Sequence, residues 1–203
     1  MEKNRDWTGN AQGVFSTLGA SNHSKEARAE NDFYATEPKA MELLLAEEKF
    51  SSVVWECACG EGHLSKVLIA HGYKVISTDL VYRGFGEPDP LDFLTDAPPE
   101  GFDGDIITNP PYTYGTEFVH RALEILQPGR KLALFLKLQF LEGKQRKKLF
   151  MENPPRTVYV SSSRLRCAKN GNFEKYAKSN AIAYAWYIWE KDFRGGTSIE
   201  WIN

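Results

Sequence analysis

Two short stretches carry residue types that could do chemistry together. The first is Thr108-Asn109-Pro110-Pro111-Tyr112, directly after an apolar run (Asp105-Ile106-Ile107) of the kind that makes a buried strand. Two consecutive prolines cannot donate to a sheet ladder, and they stiffen the backbone just beyond the strand end. The stretch is therefore a rigid shelf carrying a carboxamide, carbonyl groups and an aromatic ring. Such a shelf suits a planar exocyclic amine. Asn109 and the Pro110 carbonyl can accept its two N–H groups, and Tyr112 can stack on its flat face. A plain polar turn has the same composition, because Asn-Pro pairs commonly form turns.

The second stretch is Glu56-Cys57-Ala58-Cys59-Gly60-Glu61-Gly62, set between the apolar run Val53-Val54-Trp55 and a helical pattern from His63. Glycines here let a backbone approach a ligand where a Cβ would intrude. The dinucleotide signature G-x-G-x-x-G is absent, since Ser65 stands at its third glycine, and no Gly-Lys-Ser/Thr end marks a phosphate loop. An acidic residue ahead of the glycines points instead to a positively charged ligand group. Asp79 ends the next apolar run, where a carboxylate can take both hydroxyls of a ribose or simply cap the strand. Asp92-Phe93 could hold and flank an adenine; a loop Asp beside a half-buried Phe is the plainer reading.

The elements that must position these groups alternate. A helix is expected over Lys39–Lys49, with Thr36 as N-cap and Pro38 in its first turn. Strands are expected at Val53–Glu56, Lys74–Thr78, 105–108, Lys131–Leu136, Arg156–Val160 and Ala181–Trp189, and helices at His63–His71, Gly115–Leu126 and Glu142–Phe150. Residues 81–104, with Gly84, Gly86, Pro88, Pro90, Pro98 and Pro99, should be irregular. This alternation predicts an α/β fold with a mainly parallel sheet and ligands at its carboxyl ends. Residues 1–31 read as a flexible tail or lid and 32–203 as a single domain. Trp186 and Trp189 read as core, and no histidine is assigned a catalytic role.

Charge is uneven. Residues 1–129 carry 10 Lys/Arg against 21 Asp/Glu, a net of −11; residues 130–178 carry 13 against 3, a net of +10. A basic segment in an acidic chain is a candidate polyanion surface, solvated helix faces being the simpler alternative. Three cysteines form neither a disulfide framework nor a zinc spacing, so no metal is expected. With no long apolar run or leader pattern, the chain reads as soluble, cytoplasmic and without a membrane partner.

Taken together, Glu56-x-x-x-Gly60-x-Gly62, Asp79, Asp92-Phe93 and Asn109-Pro-Pro-Tyr112 resemble the ordered motifs of S-adenosylmethionine-dependent amino-methyltransferases. More narrowly they are similar to the DNA adenine-N6 methyltransferases, in the arrangement whose cofactor half comes first. Phe33-Tyr34-x-Thr36-x-Pro38 looks like that family's N-terminal cofactor motif, and the small size resembles its compact phage and prophage members. A separate large target-recognition domain, common in the family, is not expected within these residues. The resemblance implies a Rossmann-like methyltransferase fold and methyl transfer from S-adenosylmethionine to adenine N6 in DNA. It implies cofactor contacts from Phe33, Tyr34, Thr36, Glu56, Cys57, Gly60, Gly62, Asp79, Asp92 and Phe93, and catalysis by Asn109, Pro110 and Tyr112, the last stacking on a flipped base. Lys144, Arg146, Lys147, Lys148, Arg164, Arg166, Lys169 and Lys175 would grip phosphates. An RNA adenine, a glutamine amide in a protein, or a binding module with a vestigial pocket are the alternatives the same residues allow.

Overall fold

The computed structural model describes residues 34–169 and 182–203. Phe33, Lys175 and the expected tail over 1–31 lie outside the described residues. In chain order the elements are β1 (Tyr34–Thr36), α1 (Pro38–Glu47), β2 (Val53–Glu56), α2 (His63–Ala70), β3 (Lys74–Ser77), β4 (Asp105–Thr108) and α3 (Gly115–Ile125). They continue with β5 (Lys131–Lys137), α4 (Arg146–Glu152), β6 (Thr157–Ser161), β7 (Cys167–Lys169), β8 (Tyr184–Glu190) and β9 (Ser198–Ile202). Residues 78–104 hold only turns and bends, as their glycines and prolines imply.

Seven strands form one sheet in the order β3-β2-β4-β5-β8-β6-β9. All its pairings are parallel except those of β8, which runs against both β5 and β6. Both faces are covered, so the strands read as nearly continuous apolar runs whose alternate residues enter opposite cores. On one face Val54, Phe135 and Trp186 meet Met41, Leu44 and Leu68 of α1 and α2. On the other, Trp55, Leu134, Tyr187 and Trp189 meet Val119 and Ala122 of α3 and Leu149 of α4. Trp186 and Trp189 are fully buried, as the sequence suggested. Each aliphatic or phenyl side chain so buried contributes about 1.5–3 kcal/mol.

Several boundaries differ from expectation for physical reasons. Thr36 does not cap α1; it lies in β1, and Glu37 occupies the cap position without a side-chain bond. The basic helix begins later, because Leu138–Leu141 forms a 3₁₀ turn and Gly143 takes a left-handed φ of 119°. Three strands lay hidden in segments read as helix lead-in, loop or chain end. β9 extends the sheet edge beside β6, and β7 pairs antiparallel with β1 as a separate two-stranded ribbon. The ribbon sets Thr36 opposite Cys167 and is clipped by Glu37, whose Oε1 accepts Arg166 N (2.6 Å) and whose Oε2 pairs with the Arg166 guanidinium (3.4 Å).

The amino-end edge of the sheet is tied by charge. Asp105 accepts Ser51 N (2.6 Å) and Lys131 N (2.7 Å). Glu48, 5 % exposed, accepts from Lys131 Nζ (2.6 Å), Tyr159 Oη (3.0 Å) and the Arg156 guanidinium. These contacts hold α1, β5 and β6 in register.

Candidate active site

β2, β3, β4 and β5 point their carboxyl ends to the same side, and there a pocket of about 540 Å³ opens. It falls in the size range of small-molecule and cofactor sites. Its wall holds Asn109, Pro110 and Tyr112 after β4, Asp79 after β3, Glu56 and Cys57 from β2 and the turn after it, and Asp92 and Phe93 from the irregular segment. Tyr34 and Thr36 of the ribbon complete it. Ten positions singled out from the sequence thus share one cavity.

Asn109 has the most telling environment. Its Nδ2 donates to the Tyr34 carbonyl (2.7 Å) and lies 4.0 Å from Cys167 Sγ, while its Oδ1 is buried and has no partner among the described residues. A carbonyl can only accept, so the tether fixes which end of the amide faces the ribbon and which is left over. Leaving a buried acceptor unmet costs about 1–3 kcal/mol, a cost that an incoming N–H would relieve. Pro111 O accepts Tyr114 N (2.9 Å), closing the turn that carries the shelf into α3.

Tyr112 is held more firmly than a bare stacking ring. Its hydroxyl donates to Cys167 Sγ (3.2 Å), and burial pushes the phenol well above its ordinary pKa, so it remains a neutral donor. The Tyr34 and Tyr184 rings flank it at 5.9 and 6.0 Å, and the Lys137 ammonium sits 4.9 Å from its centroid. The ring expected to be an open face for a base already has a cation over it.

The nucleotide half differs in detail from expectation. Asp79 lies at the end of β3, where Oδ2 accepts Gly60 N (2.7 Å) and Oδ1 accepts Val81 N (3.0 Å). The carboxylate thereby shapes the loop after β2, with lone pairs still able to accept hydroxyls. Gly60 and Gly62 are not in the pocket wall. Gly62 has a φ of +77°, and a Cβ on it would fall 2.3 Å from the Phe85 ring, so this glycine admits a protein side chain. Cys57, Ala58 and Cys59 face the cavity instead. Asp92 Oδ1 accepts Leu94 N (2.9 Å) in a local turn, and the buried Phe93 ring, part of the pocket wall, packs on Trp55 (5.2 Å) and Phe118 (4.8 Å).

Glu56 is 2 % exposed and accepts from Ser65 Oγ, which also contacts Ser77 Oγ (2.7 Å). Burial raises its pKa from 4.5 to about 8, the Ser65 bond opposing only in part. At neutral pH the carboxyl is mostly protonated, and a cationic ligand group beside it would draw the proton off.

The basic positions divide. Lys144, Lys147, Lys148 and Arg164 are exposed, Lys148 lying 3.8 Å from Glu152. Arg146 is engaged internally: it donates to the carbonyls of Phe140 (2.8 Å), Gln139 (3.2 Å) and Glu142 and lies over the Phe140 ring, capping the 3₁₀ turn. Arg166 pairs with Glu37, as above. Lys169 is described only as part of the β7 backbone.

Four contributors had no legible signal in the sequence. They are the Tyr34 carbonyl, Cys167, Lys137, and His63, which lines the cavity and whose pKa burial lowers so that the ring is neutral at pH 7. A lone histidine, cysteine or strand-end lysine has no spacing to betray it. The three cysteines are buried free thiols. Among the described residues no helix is long and apolar enough to cross a membrane.

No protein-family profile matches the sequence, and no curated protein does. Solved structures do match. A protein assigned as an O-methyltransferase from Agrobacterium tumefaciens has 14% identity and a TM-score of 0.56, over 81% of this chain and 85% of that one. A class I S-adenosylmethionine-dependent methyltransferase assignment from Listeria monocytogenes has 12% identity and a TM-score of 0.55, over 94% and 71%. A modification subunit assigned to a type I restriction enzyme of Vibrio vulnificus has 13% identity and a TM-score of 0.53 over 92% of this chain, which spans 48% of that one. The chain has the methyltransferase fold, an α/β architecture with helices on both faces of a mainly parallel sheet.

Proposed function

We propose that the protein is an S-adenosylmethionine-dependent methyltransferase acting on the N6 amine of adenine in DNA. The observation that carries this reading is Asn109 Oδ1, a buried acceptor with no partner among the described residues, on a shelf stiffened by Pro110 and Pro111. An amino group is the complement of that atom. Hydroxyl acceptors, as in O-methylation, need a base to take a proton, and neither Asn109 nor Tyr112 can act as one at neutral pH.

The donor set fits the cofactor. Glu56, ready to ionise beside a cation, suits the methionine ammonium, Asp79 the ribose hydroxyls, and Leu91, Phe93 and Phe118 an adenine edge. When bound, S-adenosylmethionine supplies a methyl group on a sulfonium, from which a neutral thioether departs. The remaining work falls to this chain's residues. An adenine amine is a weak nucleophile because its lone pair conjugates with the ring. Asn109 Oδ1 and the Pro110 carbonyl, accepting its two N–H groups, would favour the tetrahedral nitrogen whose lone pair is available. Tyr112, pinned by Cys167, would hold the plane of the base, so that alignment and charge stabilisation replace a strong base; the nitrogen, cationic and acidic once methylated, then gives its extra proton to water.

The fold is shared by proteins assigned to different acceptors, so it does not choose among them; the basic segment 130–178 favours a polyanion. Incubation with tritiated cofactor and, in parallel, unmethylated duplex DNA, ribosomal RNA or protein lysate tests the proposal. The expected result is label in DNA, recovered as N6-methyladenine by mass spectrometry. Label confined to RNA or protein would refute the DNA acceptor, and no cofactor binding by calorimetry would refute the enzyme.

A further inference from the structure

The two lysines of β5 live in opposite circumstances. Lys131, at the start, is paired with Glu48 at 2.6 Å. Lys137, at the end, is partly buried, stands opposite Tyr184 in register, and takes part in none of the ion pairs among the described residues. Its one described contact as a cation is the face of Tyr112, 4.9 Å from the ring centroid. A partly desolvated ammonium without a counter-ion is costly, and a ring quadrupole compensates it only in part. Its place beside the shelf makes that cost informative.

We propose that Lys137 is the inner contact for a phosphate of the nucleotide whose base is methylated. This rests on the reading of the acceptor as a nucleic-acid base. A base stacking on Tyr112 either displaces the ammonium or shares the ring with it. In both cases the four-carbon stem leaves the cation beside the incoming nucleotide, whose nearest anion is its own phosphate. The chain after Lys137 runs the same way. The 3₁₀ turn Leu138–Leu141 packs Phe140 against Gly115, where an added Cβ would come within 3.0 Å of the ring, so the segment is seated on the rim of the shelf. The exposed Lys144, Lys147 and Lys148 follow within eleven residues of sequence. An uncharged acceptor such as a glutamine side chain has no use for a cation at this point. Lys137 thus acts as a specificity determinant for nucleotides, in addition to strengthening binding.

The test compares wild type, Lys137→Ala and Lys137→Arg on unmethylated duplex DNA of mixed sequence, with S-adenosylhomocysteine titrated separately by calorimetry. Expected for Lys137→Ala are an approximately tenfold rise in KM for DNA, a fall in kcat of similar size, and unchanged S-adenosylhomocysteine affinity. The plot of log K against log[salt] should become shallower by about 0.9, the loss of one phosphate contact. Lys137→Arg should restore the slope. An unchanged salt slope, or a loss of S-adenosylhomocysteine affinity equal to the loss of DNA affinity, would overturn the assignment and leave Lys137 a structural residue. If wild type itself neither binds nor methylates DNA, the acceptor reading falls and this inference with it.

Discussion

At the amino ends of β4, β5 and β6 the charged groups meet partners: Asp105 accepts two backbone N–H groups, and Glu48 gathers Lys131, Arg156 and Tyr159. At the carboxyl ends of the same sheet, groups of similar burial are left wanting. Among the described residues Asn109 Oδ1 has no partner, Glu56 is kept protonated by burial, and Lys137 has a ring in place of a carboxylate. Packing quality is the same at both ends, since apolar residues of β5 and β8 are buried along their whole length. What differs is whether polar capacity is filled from within the chain. Filled capacity stabilises the fold; unfilled capacity at a cavity wall costs stability and is held for something from outside.

Substitutions can break or sharpen this contrast. The largest effect is expected for Asn109→Ala: a loss of methyl transfer on the order of 10²–10³-fold, by analogy with removing one preorganised hydrogen-bonding group from a catalytic site. S-adenosylhomocysteine affinity should stay within about twofold. A variant with near-normal turnover would show that the unmet oxygen has no catalytic meaning.

Glu56 provides the second test, through pH. Its carboxyl is raised from 4.5 to about 8 in the folded protein, so the folded state holds a proton that the unfolded chain has released. The resulting stabilisation is fully present below 4.5 and is lost as pH rises through 8, up to about 5 kcal/mol by linkage. Thermal melts of the ligand-free protein should therefore decline over that window. Affinity for S-adenosylhomocysteine, whose ammonium favours ionised Glu56, should climb over the same window and level off above 8. Glu56→Gln should flatten both curves; two sloping curves in that variant would locate the titration elsewhere.

At the filled end the prediction reverses. Glu48→Ala removes the ion pair of Lys131 and leaves Arg156 with Glu190 alone (3.3 Å), and because both cations reach solvent in part the cost should be about 2–3 kcal/mol, below that of fully buried pairs. That corresponds to a fall in Tm of roughly 4–12 °C for a domain of this size. Turnover well below the melt should be unaffected. The smallest effect is expected for Cys167→Ala, which releases the Tyr112 hydroxyl. It should cost about 1 kcal/mol of stability and slow transfer several-fold, with cofactor affinity unchanged in calorimetry.

The contrast also marks what could be read from sequence. The central strands announce themselves because burial on both faces forces unbroken apolar runs at Val53–Glu56, Lys131–Lys137 and Tyr184–Glu190. The shelf announces itself because two prolines after an asparagine have few structural reasons to exist. β1, β7 and β9 stayed hidden, being three to five residues long at edges, where pattern and propensity are weakest. Arg146 could not be told from its neighbours Lys147 and Lys148, since only the fold shows that its guanidinium caps a 3₁₀ turn. Gly62 was recognised as special, but the neighbour requiring it turned out to be Phe85.

The ribbon of β1 and β7 has a last implication. It stands apart from the central sheet, yet it supplies both tethers of the shelf, the Tyr34 carbonyl for Asn109 and the Cys167 thiol for Tyr112. Its clip joins Glu37 to Arg166 across 129 positions of sequence, among the most distant closures in the molecule. Contacts of such separation are slow to form, and a ribbon this short adds little to cooperativity. The protein could therefore complete its melt-resistant interior, pass every bulk measure of nativeness, and still be inert until these two strands meet.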